Sequence, residues 1–435
     1  MTNLPGTGRR AERGFTLIEV VVATLVTVEV ILAALALFDF HNKLARVQGQ
    51  VSDMQQSLRV TQYEMVKLTR EAGRGGLPAV LKSGAFGAVG VRNNVVGAAD
   101  QVAIGFSGSP RAVDGTDILT LRGAFSLPIY VLDPSGPGVV TLIGGATPAT
   151  ATAGRVVVCA TTKATLPQDL TPLISAVNAA ANAGQVEALI LVSSLGDSVY
   201  AVVELDPGNS VLTGSQPACP ASTANPNGIL IAFNVTGDAN ANSFQQLGTV
   251  GGIIGLPPVK SFAVATLGIL EEYRYYVRQD ATLNTFGDPV RHLSRARMYP
   301  GTETPYYNDP TNLQVDVADN ILDLQAALGV DNNRNGVITE GTGLGSPPDQ
   351  TPSTADEWVY NFPADTPFPN VVYGPLLEVR ISSLASTGNP DFKYQGPKLT
   401  TIEDHTYPAT DFANTFHGRC YRHRLLTTVV GLRNL

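Results

Sequence analysis

The sequence predicts an α+β protein, one long N-terminal helix followed by a large antiparallel β-rich head. Three observations predict it. Phe15–Phe38 is an almost unbroken apolar run; residues 44–72 carry apolar side chains at helical spacing; beyond Pro78, short β-branched runs recur between Gly, Pro, Asn and Asp. With 435 residues, 44% hydrophobic and 15% charged, 43 Gly and 29 Pro, the composition is that of a folded, turn-rich chain.

The arm Met1–Gly14 carries Arg9, Arg10 and Arg13 against Glu12. A short basic arm of this kind stays cytoplasmic while the bulk of the chain crosses the membrane. Phe15–Phe38 then supplies 24 mostly apolar residues. As a helix rising ~1.5 Å per residue it is about 36 Å long, enough for a hydrocarbon core of ~30 Å. Two carboxylates interrupt it, Glu19 and Glu29. An ionisable group at the bilayer centre costs about 2.5–3.5 kcal/mol, so such a group asks for a partner. A plain anchor gives Glu19 none. Nor does a secretory signal cut at Ala34-Leu35-Ala36, whose apolar region would also exceed the usual 7–15 residues or so. Glu29 reads as the weaker case, close enough to the far interface for its side chain to reach water.

The helix continues past the span. Leu44, Val47, Val51, Met54, Leu58, Thr61, Met65, Leu68 and Ala72 alternate by three and four, an amphipathic seam, with Gln55, Gln56, Arg59, Glu64, Lys67 and Arg70 on the polar face. One helix over 16–72, closed by Gly73 and Gly75-Gly76, explains both halves, with a coiled-coil dimer as the alternative. In the head, strands are expected at Asp117–Arg122, Arg155–Ala160, Ala188–Ser193, Ser198–Leu205, Gly228–Phe233, Val259–Thr266, Glu272–Arg278 and Val371–Ser383, and a helix at Thr171–Ala183 with Pro172 in its first turn. Thr141–Thr152 and Gly341–Ala355 read as exposed loops.

Arg13-Gly14-Phe15-Thr16-Leu17-Ile18-Glu19 resembles the processing site of type IV prepilins and type II secretion pseudopilins: a basic leader ending in Gly, an aromatic first mature residue, then Thr-Leu-Ile-Glu. The resemblance implies a leader, 1–14, removed after Gly14 by a prepilin peptidase, and N-methylation of the new terminus at Phe15. It implies a pilin-type helix with a transmembrane half, 15–38, and an amphipathic half, 39–76, packed on a head, 77–435. It also implies that Glu19 pairs with the terminal amine of a neighbouring subunit, so that its charge is satisfied only on assembly. The implied partners are other minor and major pilins and the inner-membrane assembly platform. Gly115–Leu121 (GTDILTL), Val317–Trp358 with Asn320–Gln325 and Gly329-Val330-Asp331, and Leu425–Asn434 are similar to segments of the PilW group of minor pilins. Leu328 stands where that group often has an aromatic.

Asp331, Asn333 and Asn335 at loop positions one, three and five, Gly336 at six, the Val337 carbonyl at seven and Ile338 at eight reproduce the first part of an EF-hand-type calcium loop. Thr342 replaces the bidentate Glu of position twelve, so Ca2+ would need Glu340 or Asp349 to complete its shell. The same residues make an Asx-rich turn, and both readings stand. Cys159 and Cys219 form either a disulfide or two buried small hydrophobes. His417, Cys420 and His423, with His405 nearby, have a zinc-like spacing, but on the approach to a strand His417 and His423 would lie about 20 Å apart.

No nucleophile elbow, phosphate-binding Gly loop or paired-carboxylate signature is present, so no enzyme is expected. A net charge of −8 argues against broad nucleic-acid binding and leaves room for a local basic patch. The resulting expectation is a PilW-like minor pilin in the inner membrane, head outside the cytoplasmic membrane, priming or capping a type IV pilus. The alternatives are a minor pseudopilin of a type II secretion or DNA-uptake system, and a membrane-tethered adhesin-like domain that never polymerises.

Overall fold

The computed structural model describes residues 16–77, 87–96, 112–134, 136–143, 152–162, 166–183, 187–193, 200–214, 216–220, 227–234, 263–301, 306, 314–340, 357–361 and 375–433. Gly14, Phe15, the loop over 341–355 and the segments 259–262 and 371–374 lie outside these residues. Helix α1 spans Leu17–Glu71. The chain divides into two units, 1–53 and 54–435.

In the first unit the described residues are helical with apolar side chains exposed all round, long and apolar enough to cross a membrane. The second unit contains the end of α1 and the head. Here Met54, Leu58, Thr61, Met65, Leu68 and Ala72 are buried, the seam its spacing dictates. Gln62 Nε2 donates to Leu426 O at 3.1 Å and Arg295 pairs with Glu64, fixing this stretch to the head. Gly73, at φ +81°, ends the helix in the left-handed conformation and donates its N–H to Arg122 O at 2.9 Å.

Every strand pair among the described residues of the head is antiparallel. Its strands in chain order are β1 (Val89–Arg92), β2 (Ile118–Gly123), β3 (Tyr130–Val131), β4 (Thr141–Ile143), β5 (Ala153–Cys159), β6 (Ala188–Ser193), β7 (Tyr200–Val211), β8 (Gly228–Asn234), β9 (Val264–Leu283), β10 (Pro289–Met298) and β11 (Gln314–Asp319), with helix α2 (Thr171–Ala183) between β5 and β6. Among the described residues these eleven strands form one sheet in the order β1-β2-β9-β6-β7-β8-β5-β4, with β10 and β3 branching from β9 and β11 pairing with β10. A second sheet follows from β12 (Ile321–Val330), β13 (Trp358–Val359), β14 (Leu376–Ser386) and β17 (His423–Gly431), ordered β13-β12-β14-β17; β15 (Thr401–Ile402) and β16 (His405–Thr406) make a small hairpin. The main apolar core lies where Leu173 and Val177 of α2 meet Val156, Val158, Leu191, Val203, Ile231 and Phe233.

Several expectations need correcting. Thr141–Ile143 is not loop but an edge strand on β5. The two strands expected at 259–266 and 272–278 are one strand of 20 residues, β9, which pairs with β6 through its first part and with β2 and β10 further on. Strands β10 and β12 were not legible: every residue of β12 (ILDLQAALGV) is buried, and its Leu/Ala-rich run with polar insertions lacks the alternation of a half-buried strand. The stretch before β17 is not extended; Phe412–Asn414 and Gly418–Cys420 are 3-10 turns.

Candidate functional site

At the head of α1, Glu19 already has a partner within the chain. The Thr16 backbone N–H and Oγ1 each donate to Glu19 Oε2 at 2.9 Å, and the Glu19 N–H reaches back to Thr16 Oγ1 at 3.4 Å. This is a reciprocal capping box, two otherwise unsatisfied groups at a helix start closing on one another. Within the single chain the Glu19 carboxylate thus already accepts two hydrogen bonds from Thr16. The signal was present as Thr16-x-x-Glu19, the capping-box spacing. Glu29 has no hydrogen-bond or ion partner among the described residues and is exposed. Gly14 and Phe15 lie outside the described residues.

The loop after β12 is held from inside. Asp331, almost fully buried, accepts the backbone N–H of Asn335 at 3.0 Å and of Gly336 at 2.7 Å. Asn333 Oδ1 accepts from Asn335 N–H at 2.9 Å and Asn335 Oδ1 from Val337 N–H at 2.8 Å. Glu357 accepts from the N–H groups of Asn332, Asn333 and Thr339. Gly336, at φ +79°, makes the turn. Glu340, expected to complete a calcium shell, instead accepts from Arg380 Nη1 at 2.6 Å, drawn by a cation that is itself stacked on Trp358. Among the described residues no group of three or more His, Cys, Asp or Glu is placed to hold a metal ion. The loop brings together two carboxylates, Asp331 and Glu357, each occupied by backbone N–H groups of the loop itself.

Cys159 and Cys219 are bonded, 60 residues apart in sequence. Gly228, the register partner of Cys159 on β8, leaves the space that Cys219 Sγ fills; a Cβ there would overlap the sulfur. Closing a loop of this length stabilises by about 4 kcal/mol in the chain-entropy description. The zinc-like residues are dispersed into other bonds. His417 Nδ1 lies 2.7 Å from Asp288 Oδ1, His405 Nδ1 2.9 Å from Asp323 Oδ2, and Cys420 is buried with Gln395 Nε2 donating to its sulfur at 3.2 Å. His423, half-buried at the start of β17, is pushed down to about 4 by loss of water.

A local basic patch does exist. A cleft of about 450 Å³ beside the last turns of α1 is lined by Tyr63, Val66, Lys67, Arg70, Arg74 and Arg433, with Glu71 the one acidic residue among them. Arg70 and Arg74 oppose the negative end of the helix dipole. Lys67, Arg70 and Arg433 have no ion pair among the described residues.

No protein-family model matches the chain, and no curated protein matches it. Among solved structures, a type IV-like pilin from Thermus thermophilus is similar at 12% identity, over 62% of this chain and 99% of that one, with a TM-score of 0.19. At that TM-score the likeness carries no argument, and nothing in it singles out the PilW group. The α+β arrangement rests on the coordinates themselves: one long helix with an apolar exposed half, followed by an antiparallel β-rich domain.

Proposed function

We propose that the chain is a filament subunit of the type IV pilin kind, a PilW-like minor pilin that primes or caps assembly after leader removal. The observation that carries this reading is the run Arg13–Glu19 leading directly into a helix that is apolar on every side and then striped where it enters a β-rich head. An all-round apolar helix needs lipid or other helices around it. Passage from bilayer to filament core keeps that surface covered throughout.

Within this reading the Thr16–Glu19 capping box describes the subunit before assembly. Cleavage after Gly14 creates an amine at Phe15, and a neighbour's amine competes with Thr16 for the Glu19 carboxylate. The Thr16 bonds already end on a charged carboxylate. What the neighbour's ammonium adds is the opposite charge, an ion pair in an apolar, low-dielectric core in place of two bonds from neutral donors, and that favours the assembled state. Mass spectrometry of the mature N-terminus tests the proposal. A start at methylated Phe15 supports the filament subunit; an intact leader leaves a membrane-tethered domain, and a start at Leu37 a secreted one.

A further inference from the structure

Three segments far apart in sequence converge where the two sheets meet. Gly115–Asp117 leads into β2 of the first sheet; Asp323 and Gln325 lie on β12 of the second; Asp404, His405 and Tyr407 belong to the β15–β16 hairpin. Asp117 spans the junction. Its N–H donates to Leu324 O at 2.9 Å, and its carboxylate accepts the N–H of Ala326 at 2.7 Å and of Asn94 at 2.8 Å. Asn93 and Asn94 side chains donate to Asp404 Oδ2 at 2.5 and 2.8 Å. Gln325 Nε2 donates to Gly115 O and to Asp323 Oδ1, both at 2.9 Å, while Tyr407 and His405 meet Asp323 Oδ2. Gly115, at φ +83°, brings its backbone against the His405 ring, where a Cβ would collide.

Asp117, Asp323 and Asp404 are 0%, 1% and 4% exposed. The other charged or titratable groups around them are His405, Tyr407, Asp411 and Arg291, whose Nη1 donates to Leu322 O at 3.2 Å, with His423 acted on by Asp411. Even with Arg291 and a charged His405, four ionised aspartates leave the joint negative, in surroundings where unbalanced charge is costly. We propose that this joint is a proton-operated latch: it ties the two sheets most tightly while the Asp117 carboxyl and the His405 ring hold their protons, and slackens as rising pH removes them.

The direction follows from the neighbours. Burial, then the charge of Asp404, holds Asp117 well above the usual carboxylate range despite its two backbone donors, with Asp323 adding to the shift. Burial opposes charging of His405, but the hydrogen bond and charge of Asp323 overcome it and raise the imidazole above its ordinary value. Both raised groups bind more protons in the native chain than in the unfolded one. Their contribution is complete in acid and is lost as pH rises, from about 4 upward for Asp117 and about 6.5 upward for His405. His423, held down to about 4, acts in the opposite sense only below about 6.5. Glu187, raised to about 7 chiefly by burial, titrates elsewhere in the head.

Hydrogen exchange of the full chain in detergent micelles, in a series from pH 5 to pH 9 and corrected for intrinsic rates, tests the latch. Peptides covering 115–121, 322–328 and 404–408 should lose about tenfold or more in protection relative to peptides from β5–β8, since one linked proton changes an opening equilibrium by up to tenfold per pH unit. Asp117→Asn keeps an acceptor oxygen without the charge and should flatten that response. Parallel loss in joint and reference peptides overturns the proposal, as does a full response in folded Asp117→Asn. If that variant does not fold, the wild-type ratio between the two regions decides by itself.

Discussion

Along α1, Val20, Val26, Leu32 and Leu37 are each more than half exposed, whereas Leu58 and Met65 are 1% and 0% exposed. The backbone is the same α-helix in both stretches; what differs is the distribution of apolar side chains around it. Between Met54 and Ala72 they keep to one seam, which the head covers, and the polar side carries Glu64 and Lys67. Before Phe38 they occupy every side, so no single surface of the same chain is able to cover them. A stripe is a statement about the chain's own fold. A uniform coat is a statement about its surroundings.

If that contrast is right, substitutions in the two stretches separate two phenotypes. The largest effect is all-or-none: Gly14→Trp should leave the leader on every chain, because a pocket that reads glycine before the cut has no room for a side chain, and the head should melt as in wild type. N-terminal mass spectrometry reads the first and calorimetry the second. Glu19→Ala comes next. It should insert and be processed normally, since removing a charge eases insertion, yet fail to co-purify partner pilins at matched membrane abundance; breaking a buried ion pair from one side costs about 3–5 kcal/mol. Full recovery of partners would remove Glu19 from the assembly contact and leave it only its cap on Thr16.

Leu58→Ala should do the reverse, lowering head stability by about 2–5 kcal/mol in denaturant titrations while processing proceeds unchanged. A processing defect in Leu58→Ala, or a head melt altered by Glu19→Ala, would break the contrast. Glu64→Ala sharpens it at lower amplitude. It deprives Arg295 of its partner at a half-buried position and should cost at most about 1 kcal/mol. The smallest effect is a reference point: chelation of calcium should leave the melt in place, because Asp331 is satisfied by backbone N–H groups and Glu340 by Arg380. A fall on chelation, restored by calcium, would give the loop a cation after all.

What was readable in the sequence follows the same physics. The seam of α1, the strand at Ala188–Ser193 and the helix at Thr171–Ala183 came through because one local period, or one proline at a helix start, dictates each. Strand β12 did not, because total burial erases alternation and leaves a run that also suits a helix. Glu19's cap was legible as Thr16-x-x-Glu19 but hidden by the stronger question of a carboxylate in a membrane span. The joint of Asp117, Asp323 and His405 was beyond local reading altogether. Gly115–Leu121 and Asn320–Gln325 stood out as segments, but their meeting depends on chain separations of about 200 residues between Asp117 and Ala326 and 82 between Asp323 and His405.

The bond between Cys159 and Cys219 closes around α2, β6 and β7, so it becomes part of the head only when the surrounding compartment permits oxidation. Thiols in the cytoplasm are kept reduced. The share of chains whose mobility on a gel changes with reductant is therefore a chemical record of address: it counts heads that have reached an oxidising space, independently of whether any filament has formed. For a filament subunit of the proposed kind, the same share followed over time after synthesis separates arrival of the head in an oxidising space from assembly.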